Sequence, residues 1–103
     1  MSLLRSEATD RLFRAILLLK TVDECYDFFD DLCTVKEILD MSQRFSSALL
    51  LDEGVSYQKI AGSVGLSTAT ISRVSRCLNY GSGGYRAAID RLREAEGAED
   101  GQM

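Results

Sequence analysis

The sequence contains no histidine. That removes the commonest general base and the commonest protein metal ligand together. Cys25, Cys33 and Cys77 form no C-x-x-C pair, and such dispersed thiols make a poor zinc site. No Ser, Cys or Lys sits in a recognisable nucleophile constellation, so neither an enzyme nor a cofactor or metal is expected. No apolar run is long enough to cross a bilayer. The apolar stretch from Ala15 to Leu19 is short and follows a charged segment, unlike a secretion signal. An odd number of cysteines without such a signal reads as a reduced, cytoplasmic protein in which each is a small buried apolar side chain. A cysteine redox sensor ranks last among the readings, since no sequence feature lowers the thiol pKa values. Nothing along the chain resembles a strand.

What remains is helical. The 103 residues leave room for one domain, and apolar spacing divides it into six helices with short joints. The first is expected from about Ser6 to Leu19, with Leu12, Phe13, Ile16, Leu17 and Leu19 recurring at three and four. Thr21-Val-Asp-Glu24 and Thr34-Val-Lys-Glu37 are capping boxes that open the second and third helices. Asp23, Glu24, Asp27, Asp30 and Asp31 line one face of the second helix and read as a solvated surface. Ile38, Met41, Phe45, Ala48 and Leu49 give the third its inward stripe, and Gly54 ends it. Asn79 to Gly84 is a glycine-rich joint without the flanking Lys-Ser/Thr of a nucleotide site, so it reads as a linker. The last helix is expected over 85–95, and 96–103 as a disordered acidic tail.

Two leucine triplets, Leu17 to Leu19 and Leu49 to Leu51, stand out. Three successive helical residues span about 200° of the circumference. One small core does not cover that width, so a second subunit packed on both helices is expected. Residues 6–54 then form the dimerisation helices of a homodimer.

Tyr57 to Arg76 reads YQKIAGSVGLSTATISRVSR, a helix–turn–helix frame that occupies 56–80 with its flanks. Ile60 and Val64 face inward on a first short helix, Ala61 allows a close crossing, and Gly65-Leu66 make the turn. Ile71, Val74 and Leu78 face inward on the second helix. Ser56 and Ser67 are the N-caps. Charge supports the same segment. Residues 1–53 carry −5, residues 54–93 carry +5 and the tail carries −4, within a total of −4. The cations are Lys59, Arg73, Arg76, Arg86, Arg91 and Arg93, against Asp90 alone. Cationic charge belongs where phosphates are bound.

The expected DNA contacts follow. Ser56, Gln58 and Lys59 are placed to hold phosphates, with Ser67 opening the recognition helix. Thr68, Ala69, Ser72 and Arg76 point outward, the first two at the end that meets base edges. So few long polar side chains imply modest direct readout, supplemented by water and DNA shape. The rival reading is a protein-interaction module that keeps the helix–turn–helix as a scaffold, its acidic surfaces facing a basic partner.

The stretch from Thr34 to Leu78 resembles the Trp repressor family, and Ala69-Thr-Ile-Ser-Arg73 looks like its recognition-helix signature. The run SYQKIAGSVGLSTATISRVSRCLNYGSGGY is more similar still to the YerC/YecD branch of Trp-repressor-like proteins. The resemblance implies an intertwined, all-α homodimer that reads successive major grooves of double-stranded DNA as a transcriptional repressor. It also implies a corepressor pocket. Arg44 and Arg73 resemble the two arginines that sandwich an indole, and Thr34 resembles the position whose backbone holds the ligand's amino group. Val74 stands where the family has glycine, and Cys77 where it has serine. A branched side chain takes the room a flat ring needs, and cysteine is the weaker hydrogen-bond partner. The expectation is a regulator that does not respond to tryptophan, with Thr34, Arg44, Arg73, Val74 and Cys77 left as the candidate pocket of another small effector.

Overall fold

The computed structural model describes residues 4–101, with side chains as far as residue 98. Among the described residues it is all-α: α1 Glu7–Leu17, α2 Val22–Leu32, α3 Val35–Asp52, α4 Tyr57–Val64, α5 Thr68–Tyr80 and α6 Gly84–Gly101. No helix there is long and apolar enough to cross a membrane. The chain divides into two compact units, Met1–Ile38 and Leu39–Met103.

In the first unit the hydroxyl residues start the helices as their chemistry dictates. Ser6 Oγ accepts from the Thr9 N–H at 3.1 Å, and Thr21 Oγ1 accepts from the Glu24 N–H at 3.0 Å. The Glu24 carboxylate returns its bond to the Lys20 N–H at 3.3 Å, one residue earlier than a closed capping box requires. Thr34 and Glu37 do close theirs. The Thr34 N–H donates to Glu37 Oε1 at 2.9 Å, and the Glu37 N–H donates to Thr34 Oγ1 at 3.1 Å. The Thr34 amide first, and then the Thr34 hydroxyl, hold the Glu37 carboxyl below its ordinary value. Neither α1 nor α2 buries a single residue. Leu17 is 81% exposed and Leu18 75%, so the first leucine triplet is left largely uncovered by the chain itself.

The second unit holds the core: Ala48, Ile60, Ile71, Val74 and Ile89. Ser47 is buried among them and donates its hydroxyl to the Gln43 carbonyl at 2.9 Å. Gln43 itself reaches across the fold. Its Nε2 donates to the Val64 carbonyl at 3.2 Å, satisfying an orphan acceptor at the end of α4. Gly65 follows at φ 84°, a left-handed position that favours glycine, and turns the chain into α5. Phe45 stacks on Tyr85 at 6.5 Å between centroids, which sets α6 against α3.

Four sequence expectations change. Leu49, Leu50 and Leu51 are all half-buried, since Leu49 and Leu51 pack against Ala48, Val74 and Ile89 and the chain folds back with the Val55 N–H on the Leu50 carbonyl. The second triplet therefore does not demand a partner. Met41, placed on the inward stripe, is 39% exposed. Cys25 and Cys77 are exposed and only Cys33 is partly covered, because α2 has no buried face and the Cys77 side of α5 opens on a cleft. Finally, α6 runs on to Gly101 where an end near residue 95 was expected. Ala and Glu are good helix formers and outweigh Gly97. Residues 102–103 lie outside the described residues.

Candidate nucleic-acid interface and the cleft behind it

The connection between α4 and α5 is three residues long, Gly65-Leu66-Ser67. Each helix starts on a serine cap. Ser56 Oγ accepts from the Lys59 N–H at 3.3 Å. Ser67 Oγ accepts from the Thr70 N–H at 3.2 Å and donates to Thr70 Oγ1 at 3.0 Å. Both hydroxyl oxygens expected at DNA thus accept a capping bond, and Ser67 also spends its O–H on Thr70.

The outer face divides cleanly from the inner one. Ile60, Ile71 and Val74 are buried, whereas Gln58, Lys59, Thr68, Ala69, Ser72 and Arg76 are exposed. The expected contacts on α4 and α5 therefore all lie on exposed surface of the second unit. Among the described residues neither Lys59 nor Arg76 takes part in an ion pair. Two cations counted with them do. Arg86 Nη1 lies 2.8 Å from Asp52 Oδ1, and its Nη2 lies 3.1 Å from Asp90 Oδ1. Arg93 Nη1 lies 2.6 Å from Asp52 Oδ2, and its Nη2 donates to the Leu49 carbonyl at 3.2 Å and to Glu53 at 3.3 Å. These bonds fasten α6 to the end of α3. The hydrogen bond from Arg86 is the main cause that holds the Asp52 carboxyl below its ordinary value. The cationic charge open to phosphate is correspondingly smaller than the sequence total.

Four of the five effector-pocket candidates line one cleft of about 430 Å³. Arg44 comes from α3, and Arg73, Val74 and Cys77 from α5. Thr34 belongs to the first unit, where Glu37 engages both its amide and its hydroxyl. The cleft also takes Asp40 from α3, Leu66 from the turn, Thr70 from α5 and Tyr85 from α6. Asp40 precedes Arg44 by four residues and Thr70 precedes Val74 by four, so helical spacing alone could have found both. Nothing in the sequence pointed to Tyr85, which arrives from another helix. Val74 is 3% exposed and shared between the cleft wall and the core.

Comparison with known proteins places the chain. The Trp repressor protein family model matches residues 7–93. The uncharacterized protein YerC of Bacillus subtilis strain 168 is 55% identical over 93 residues, covering 90% of this chain and 89% of that protein. The crystal structure of a TrpR-like protein from Eubacterium eligens superposes with a TM-score of 0.83 at 55% identity, over 86% of this chain and 92% of that one. A Staphylococcus aureus structure superposes with a TM-score of 0.83 at 50% identity, over 87% of this chain and 90% of that one.

Proposed function

The chain belongs to the Trp repressor family, and from that premise we propose that it is a cytoplasmic, homodimeric, sequence-specific DNA-binding transcriptional repressor that does not answer to tryptophan. The observation that carries the DNA-binding reading is the face of α5. Thr68, Ala69, Ser72 and Arg76 are exposed while Ile71 and Val74 anchor the helix from behind. α4 and α5 then act as a helix–turn–helix, α5 entering the major groove and Lys59 meeting the phosphate backbone. Gln58 stands beside Lys59 on the first turn of α4. Ser56 and Ser67 aim the two helix starts through their caps, and Ser56, whose Oγ only accepts there, offers its O–H to a phosphate.

The homodimer is supported by the first unit. Leu17, Leu18, Val22 and Tyr26 are among its exposed apolar side chains, and no residue of α1 or α2 is fully buried. So much uncovered apolar surface on one short segment is the mark of an interface. Two reading heads on a two-fold axis ask for a pseudo-palindromic operator, with half-sites about one helical turn apart.

Indifference to tryptophan is supported by Val74. Its branched side chain is packed into the core and has no room to step aside for an indole. Micromolar binding of L-tryptophan in a calorimetric titration would overturn this part. A gel shift against pooled genomic DNA tests the main reading. Retained fragments support it, whereas no retention at low salt favours a protein-interaction module built on the same scaffold.

A further inference from the structure

We propose that Gln43 is a positioning residue of the reading head: its side chain, reaching from α3 to the α4–α5 turn, sets the angle at which α5 meets base edges. This role rests on the DNA-binding reading above. Gln43 Nε2 donates to the Val64 carbonyl at 3.2 Å, across 21 positions of sequence. The side-chain bonds of Ser56, Ser63, Ser67 and Asn79 stay within their own helix or its cap, whereas this one enters the helix–turn–helix from outside. Both ends of the link are fixed. The Gln43 carbonyl accepts from the hydroxyl of Ser47, which is fully buried. The Val64 carbonyl belongs to the last turn of α4, where carbonyls lack an intrahelical donor.

The place of the link gives it leverage. Gly65 follows Val64 at φ 84° and forms the bend between the two helices. Gln43 Nε2 stands beside that bend, 3.8 Å from where a Gly65 Cβ would be. Only Leu66 and Ser67 then separate Gly65 from the start of α5 at Thr68. Thr68 and Ala69 are exposed, and side chains this short reach base edges only if the backbone stands at the right depth and tilt. Lys59 and Arg76 are long, so phosphate contacts tolerate a shift that base contacts do not. Losing the link therefore weakens specific binding and spares non-specific binding. A merely structural role would not separate the two.

Gln43→Met keeps an unbranched side chain and removes the donor. Circular dichroism gives its melting profile, and binding is measured well below the transition. Fluorescence anisotropy compares a duplex selected from genomic DNA with a random-sequence duplex of equal length. The variant should bind the selected duplex about tenfold or more weakly, and the random duplex within about twofold of wild type with an unchanged salt slope. In the DNA-free protein, hydrogen exchange should quicken at the amides of Gly65 and Thr70, which are bonded on either side of the turn, and not at Ile89. Gln43→Glu, which keeps the shape and lacks the donor at neutral pH, should show the same exchange. Equal weakening on both duplexes, no weakening on either, or unchanged exchange at the turn would overturn the proposal. Wild-type protein that does not discriminate the two duplexes would sink the DNA-binding reading and this role with it. That failure shows in the wild type, whereas failure of the role alone shows only in the variants.

Discussion

Oδ2 of Asp52 and Nη1 of Arg93 lie 2.6 Å apart, joining residues 41 positions apart in the chain. The other oxygen of the same carboxylate takes Arg86 at 2.8 Å. One acid at the end of α3 therefore fixes two turns of α6, and with them Ile89 and Tyr85 against the core. Asp52→Asn keeps the shape and removes the charge. It should lower the melting temperature by a few degrees, whereas Asp90→Asn, which removes only an exposed pair within α6, should change it little. Thermal unfolding followed by circular dichroism measures both.

Two carboxyls give stability its acid limit. Glu37 is held low by the amide and hydroxyl of Thr34, and Asp52 chiefly by the hydrogen bond from Arg86. A depressed folded value means the group stabilises the fold above its ordinary value and ceases to do so as pH falls through the lowered one. Their contributions are therefore complete above about pH 5 and fade below about pH 4. Unfolding by urea across pH 2 to 6, about the carboxylate range, should show a shallower acid decline in Glu37→Gln combined with Asp52→Asn than in wild type.

Gly65 offers a cleaner backbone test. Its φ of 84° is left-handed, yet a Cβ there would meet only Gln43 Nε2, at an ordinary 3.8 Å. Gly65→Ala thus isolates conformational strain from crowding. It should cost about 1–2 kcal/mol in urea denaturation. A neutral result would mean that the turn relaxes without harm to the α4–α5 geometry.

Leu17 and Leu18 carry the dimer reading, now that Leu49 to Leu51 are covered from within. Leu17→Glu combined with Leu18→Glu should convert a dimer to a monomer in sedimentation equilibrium. The same double variant should lose operator binding steeply, because two linked reading heads bind far more tightly than one. A wild-type protein that sediments as a monomer at micromolar concentration would remove the argument.

The helix starts were legible in the sequence because capping is local. Ser6, Thr21, Ser56 and Ser67 each accept from an N–H three residues on. The burial of Ile60, Ile71 and Val74 was equally legible, since spacing on a helix settles which side chains share a face. What failed was long-range. No local pattern tells that Asp52 will claim Arg86 and Arg93, so the charge total over residues 54–93 overstated the cations free for DNA. Coverage of Leu49 and Leu51 depends on packing against Val74 and Ile89 from other helices, which periodicity does not encode. In the cleft, Arg44, Arg73, Val74 and Cys77 came from resemblance, and Tyr85 only from tertiary packing.

Whether the face formed by α4 and α5 meets DNA is decided by the salt dependence of operator binding, in the wild type and in Lys59→Ala combined with Arg76→Ala. Affinity plotted against salt on logarithmic axes has a slope of about −0.9 for each phosphate neutralised. The double variant should bind more weakly, with a slope shallower by about 0.9 for each phosphate that its two protomers no longer neutralise. Unchanged affinity and slope in that variant would refute the assignment, and DNA would then have to meet some other surface.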